Sequence, residues 1–271
     1  MPLNPVLVLN NLDYFEQFHE NLCTALRQLN CWPVVPARWP NKAKELGEFF
    51  DLCRLILVDP TMQDFDLDQL RTSLLSCNPV RRPKVIVVRT HPDDDIRSIE
   101  ERLESESSLV KTYSLHEMVF AFNRCLFPRV QNRRRFPRAL ATVPVEFRDT
   151  RSGFPLKEIS FNLSGSGLFI QSYQPQERGS TIDFMIHLPD GQEPIQCRGH
   201  VAFSKAFVFA ANNLTPAGMG IHIDQIDPKD QLRLRAFVHP RLPRADRIKT
   251  ERSIVKIVYN REGKRSKSVG E

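Results

Sequence analysis

The residues best equipped for chemistry lie near the middle of the chain. Asn132-Arg-Arg-Arg-Phe-Pro-Arg138 places four guanidinium groups, on Arg133, Arg134, Arg135 and Arg138, within seven residues. Pro137 blocks a helix through this run and biases Phe136 toward extended backbone, so Arg134 and Arg138 stand on an open strand or turn. Planar guanidinium groups on extended chain suit bidentate pairing with phosphate and stacking on flat bases. A second polar run, Asn162-Leu-Ser-Gly-Ser-Gly167, begins 28 residues after Arg134. It offers short hydrogen-bonding side chains, with glycines at which another molecule can approach the backbone closely. One arginine cluster is weak evidence; two polar runs separated by a strand-like segment are much stronger.

Together the two runs resemble the PilZ family of bacterial cyclic di-GMP receptors. That family carries Arg-x-x-x-Arg in a segment before a small β-barrel and Asp/Asn-x-Ser-x-x-Gly about one hairpin later. Arg134 and Arg138 match the first motif, and Asn162, Ser164 and Gly167 match the second without departure. Flanking runs fit a first barrel strand at Val143–Phe147, an inner strand at Gly199–Phe203 and a last at Gly218–Ile223. The resemblance covers about residues 130–240. It implies a receptor whose ligand carries two phosphodiesters and two guanines. Arg134 and Arg138 would pair with guanine edges and phosphates or stack on the bases, with Arg133 and Arg135 adding charge. Asn162 would hydrogen-bond a guanine edge and Ser164 a phosphate or base. Gly167 would leave room for the purine, and Phe203 would wall the pocket.

Catalytic readings find little support. Asp93-Asp94-Asp95 has the charge for a metal site, but acidic residues opening a helix have the commoner role of stabilising its dipole. The seven histidines form no ligand pair, and the six cysteines show no Cys-x-x-Cys spacing. No nucleophile turn places a Ser/His/Asp set. The expectation is therefore no enzyme, no metal and no cofactor, with reduced cysteines filling core or surface positions.

Two kinds of element must position these groups. Residues 1–127 alternate apolar runs, at Val6–Leu9, Val34–Val35, Leu55–Val58, Lys84–Val88 and Leu109–Tyr113, with helical patterns at Asp13–Leu29, Lys42–Leu52, Asp66–Cys77, Asp94–Glu104 and Leu115–Leu126. Such alternation predicts a parallel sheet covered on both faces. From Ala139 the runs shorten and turn residues multiply. Strands are expected at Ala141–Phe147, Lys157–Asn162, Leu168–Ser172, Thr181–His187, Ile195–Lys205 and Gly218–Ile226, forming a six-stranded antiparallel barrel. Asp227-Pro228 then starts a helix to about Val238.

The first 127 residues resemble the receiver domain of two-component signalling, a flavodoxin-like α/β fold. Asp59, at the end of Leu-Ile-Leu-Val-Asp, matches the phosphoacceptor, Thr90 the hydroxyl position and Lys111 the lysine of the fifth strand. The departures are Asn10 and Asn11, where the family has two acids that hold Mg²⁺, and the lack of a proline after Lys111. An amide is a poorer ligand than a carboxylate for this hard cation, so efficient phosphorylation is not expected.

The organisation expected is thus a receiver-like α/β domain (1–127), a PilZ barrel with its arginine segment (128–240) and a basic, flexible tail (241–271). These stretches carry 14 basic against 18 acidic side chains, 14 against 10, and 10 against 4. Within the tail only Ser253–Tyr259 alternates like a strand. No apolar run approaches the ~20 residues of a membrane helix, and Val6–Leu9 is too short for a signal peptide, so a cytoplasmic location without membrane insertion is expected. The partners expected are the dinucleotide and a downstream protein, with a homodimer left open. The competing reading is a nucleic-acid-binding regulator using the basic segment and tail. It is disfavoured because the barrel proper is near neutral and does not interleave aromatic with basic residues.

Overall fold

A computed structural model describes residues 6–9, 16–31, 34–37, 50, 52–62, 64–91, 96–127, 136–206, 216–242, 246, 247 and 250. Two compact units are present; the first runs from the N-terminus through Arg135, and the second holds Phe136–Ala206 and continues from Gly218.

In the first unit, β1 (Val6–Leu9), α1 (Glu16–Gln28), β2 (Val34–Ala37), β3 (Leu55–Val58), α2 (Leu67–Ser76), β4 (Lys84–Arg89), α3 (Arg97–Arg102), β5 (Ser107–Val110) and α4 (Leu115–Leu126) follow in order. The strands form one parallel sheet in the order β2-β1-β3-β4-β5, the flavodoxin-like winding. Every residue of β3 is buried because both faces are covered. Leu55 and Leu57 pack with Phe18 and Leu22 of α1 and Met118 and Phe122 of α4. Ile56 and Val58 face the other way, toward Leu70 and Leu74 of α2 and toward Ile96 and Leu103. Asp66 caps α2 by accepting from the Gln69 amide, and Ser114 and Glu117 form a reciprocal capping box on α4. The helix expected at Lys42–Leu52, the start of α1 and the strand expected in the tail fall mainly or wholly outside the described residues.

The fifth strand lies two residues earlier than expected. Ser107 and Ser108 pair with Ile86 and Val87 of β4 despite their polarity, because β5 is the sheet edge and its first residues are only half buried. Lys111 consequently stands just past the carboxyl end of its strand.

The second unit is a closed antiparallel barrel. Its strands are β7 (Pro144–Arg148), β8 (Pro155–Ser164), β9 (Gly167–Gln171), β10 (Thr181–Ile186), β11 (Ile195–Lys205) and β12 (Gly218–Ile226), preceded by the short β6 (Ala139–Leu140). The ring runs β7-β10-β11-β12-β9-β8, and β8 pairs again with β7 to close it. Alternate inward residues, among them Val145, Leu163, Leu168, Ile170, Phe184, Val201 and Ile221, fill the interior. The C-terminal helix α5 (Pro228–Val238) adds Leu234 and Val238 to that core.

The first strand, expected at Ala141–Phe147, begins only at Pro144, and a separate short strand, β6, precedes it. The break is held by Ser160, whose buried hydroxyl donates to the Ala141 carbonyl (2.5 Å) and accepts from the Val143 amide (3.1 Å). Those backbone groups would otherwise be buried without partners. Beyond the break, β6 pairs Ala139 with Leu163 and Leu140 with Asn162.

Candidate functional site

The second motif lies where β8 turns into β9. Ser164 is buried, its hydroxyl donating to the Gly167 carbonyl (2.9 Å) and accepting from the Ser166 amide (3.4 Å). The turn is thus tied by its own serine. Gly167 has a backbone reason to be glycine: a methyl group there would stand 2.3 Å from the Ile221 carbonyl oxygen on β12. Its hydrogen atom is what lets β9 lie against β12.

A β-bulge sets the direction of Asn162. Ser160 pairs with Ile170, but the next partner of Phe169 is Asn162, leaving Phe161 as the extra residue. Cross-strand neighbours share a face, so Ser160 points inward with Ile170, and Asn162 points outward with Phe169. Register carries this outer row further, from Phe169 to Gly220 on β12 and on to Phe203 on β11. Asn162 and Phe203 therefore belong to one transverse row, with Phe203 53% exposed. Glycine at 220 leaves the row open between two rings: Phe203 Cβ and Phe169 Cδ2 would be 3.7 and 3.9 Å from a methyl group there. Phe169 in turn meets Phe161 edge-to-face, with centroids 6.3 Å apart.

Asn162 is 4% exposed, and its Oδ1 is buried without a hydrogen-bond partner among the described residues. Leaving such an acceptor unmet costs about 1–3 kcal/mol, so the position is one of stored cost. Of the arginines, Arg138 directly precedes Ala139, the residue of β6 that pairs with Leu163 beside Ser164. Arg133, Arg134 and Arg135 lie outside the described residues.

Two residues at this end carry no sequence motif. Phe136 and Arg235 of α5 stack at 5.0 Å, guanidinium carbon to ring centroid, and both touch the space above Gly165. Arg235 reads in the sequence as an ordinary basic residue in the last turn of a helix, and no spacing rule links it to residue 136.

In the first unit, Asp59 follows β3 and is 2% exposed. One carboxylate oxygen accepts from the Thr61 amide (3.0 Å) and hydroxyl (2.6 Å); the other meets Lys111 Nζ at 2.6 Å. Asp59 and Lys111 are thus brought together at the carboxyl end of the sheet, and Thr90 follows β4 at the same end. Thr61 is a partner of Asp59 that sequence reasoning missed. Asn10 and Asn11 are outside the described residues.

Among the described residues, no group of three His, Cys, Asp or Glu side chains could hold a metal ion, and no helix is long and apolar enough to cross a membrane. All six cysteines are free, five of them buried; burial pushes Cys53 up to about 11 and Cys197 up to about 12.

Residues 132–239 match the family model described as PilZ domain. No curated protein matches the chain. Among solved structures, the PilZ domain of YcgR from Escherichia coli, determined with c-di-GMP, is 14% identical over 40% of this chain and 91% of that one, with a TM-score of 0.32. The Bacillus subtilis inhibitor of motility MotI/DgrA is 19% identical, with a TM-score of 0.33; the match covers 40% of this chain and half of the Bacillus chain (50%). The receiver domain of the sensor histidine kinase PA1611 from Pseudomonas aeruginosa, with magnesium in its active-site cleft, is 13% identical over 46% of this chain and 98% of that one, with a TM-score of 0.35.

Proposed function

We propose that the chain is a cytoplasmic receptor for cyclic di-GMP that binds the dinucleotide through Arg134, Arg138, Asn162, Ser164 and Gly167, with Arg133 and Arg135 contributing charge. The observation that carries this reading is the PilZ match over residues 132–239, the stretch that holds both motifs. The unmet Oδ1 of Asn162, turned outward beside Phe169, supports it, because a ligand donor there would remove a standing cost. Ser164 ties the turn with its side chain, so its contribution to the ligand is chiefly to present the Gly165 and Ser166 backbone.

Calorimetric titration tests the reading. Micromolar or tighter binding is expected, and excess single-stranded DNA should leave it unaffected. Arg134→Ala or Arg138→Ala should cost about 1.5–3 kcal/mol each, roughly ten- to over a hundredfold in affinity. Absence of heat and of thermal shift at ligand well above that range ends the proposal. Displacement by DNA would favour the nucleic-acid reading.

The receptor works as a switch of arrangement. Four like charges at residues 133–138 oppose close packing of that segment until a dianionic ligand offsets them. Because the segment follows the first unit directly, fixing it restricts the first unit relative to the barrel and changes what is presented to a downstream protein.

A further inference from the structure

Phe136 and Arg235 meet above the turn between β8 and β9, where Gly165 is the residue that admits them. A methyl group at 165 would stand 3.2 Å from both Arg235 Cγ and Phe136 Cδ1 and 3.3 Å from Arg235 Nε. Phe136 lies between Arg134 and Arg138, and Gly165 lies between Ser164 and Gly167. Each is thus a position inside a motif whose identity the motif leaves open, and Arg235 of the C-terminal helix touches both.

The helix that brings Arg235 here is firmly held. Asp227 caps it by accepting from the Lys229 amide at 2.8 Å. Arg233 joins Asp230 at 2.7 Å and Asp190 at 3.1 Å, and donates to the Glu193 carbonyl at 3.2 Å. Leu234 and Val238 are buried in the barrel core. Arg235 differs from Arg233 in that no carboxylate pairs with it among the described residues, and its guanidinium carbon lies 5.0 Å from the centroid of the Phe136 ring. A guanidinium face over an aromatic ring is attractive and restricts both groups.

Resting on the cyclic di-GMP reading, we infer that Arg235 is a positioning residue for the ligand site: stacked on Phe136 over Gly165, it holds the arginine segment against the Asn162–Gly167 turn and ties ligand affinity to the placement of the C-terminal helix. A segment already held at residue 136 has less freedom to lose when Arg134 and Arg138 engage phosphate and guanine, and that saving appears as affinity.

The test is calorimetric titration of the full-length chain with cyclic di-GMP. Arg235→Ala should bind roughly two- to fivefold more weakly than the wild type, the range of an exposed cation–π contact. Phe136→Leu should lose as much, whereas Phe136→Tyr keeps the ring and should keep wild-type affinity. Gly165→Ala should also weaken binding, by pushing the pair apart. In the double variant Arg235→Ala/Phe136→Leu, affinity should be no lower than in the weaker single variant, because both act through one contact. Circular dichroism of Arg235→Ala should match the wild type, since Arg235 is exposed. Wild-type affinity in Arg235→Ala overturns the inference while leaving the receptor reading intact. Losses that multiply in the double variant also overturn it, since Arg235 would then act on the ligand independently of Phe136. A wild-type chain that binds no ligand removes the receptor reading, and this inference with it.

Discussion

Among the described residues, the buried carboxamide oxygen of Asn162 meets no partner, a cost that packing alone does not require. Replacing the residue removes the unmet acceptor. Asn162→Ala should therefore leave the ligand-free barrel as stable as the wild type, or more stable by about 1 kcal/mol, while weakening cyclic di-GMP by roughly tenfold. Denaturant unfolding and calorimetry on the same protein measure both; a large loss of stability would show that Asn162 holds the bulge rather than the ligand. Asp59 is the opposite case, a buried carboxylate whose two oxygens already meet Thr61 and Lys111. With amides at residues 10 and 11 in place of acids, little charge is left to draw Mg²⁺ to it. Acetyl phosphate with Mg²⁺ should label the chain poorly, and efficient labelling abolished by Asp59→Asn would refute this. Lys111→Ala should instead cost stability, since it strands a buried charge.

At the scale of elements, the contact of β9 with β12 depends on Gly167. Gly167→Ala should destabilise the barrel by about 2–4 kcal/mol, because the Ile221 carbonyl at 2.3 Å is backbone and cannot swing aside. Gly165→Ala should be far milder, its neighbours being side-chain ends. Thermal unfolding of the two variants makes the comparison, and equal shifts would contradict it. Elements with uninterrupted patterns were legible in the sequence: Val6–Leu9, Leu55–Val58, Leu115–Leu126, Ile195–Lys205 and Gly218–Ile226 stand at the bounds that periodicity assigns. What misled was non-local. β5 begins at two serines because an edge strand tolerates polar residues, and the split between β6 and β7 depends on Ser160, which is distant in sequence from the backbone it satisfies. The site divides the same way. Asn162, Ser164 and Gly167 could be read as a motif, whereas Arg235 over Phe136 arises from the docking of α5 and has no periodic signature.

At the scale of the molecule, the proposed switch assigns the arginine segment, which follows the acidic first unit in sequence, the part of transmitter. Hydrogen exchange should show amides from Arg129 to Leu140 gaining protection when cyclic di-GMP binds, together with a changed small-angle scattering profile. Binding without either change would leave a receptor but no switch. The two units also differ in how their chain is used. The parallel sheet gathers strands that all precede α4, whereas the barrel ring is completed only when Gly218–Ile226 settles between β11 and β9. On a ribosome, the first unit has its whole sheet in hand while the barrel still lacks its keystone, and β9 and β11 must wait with open edges. Synthesis thus completes the parallel sheet before the barrel, and the interval in which an unfinished barrel can stick to its neighbours ends with the emergence of a single strand.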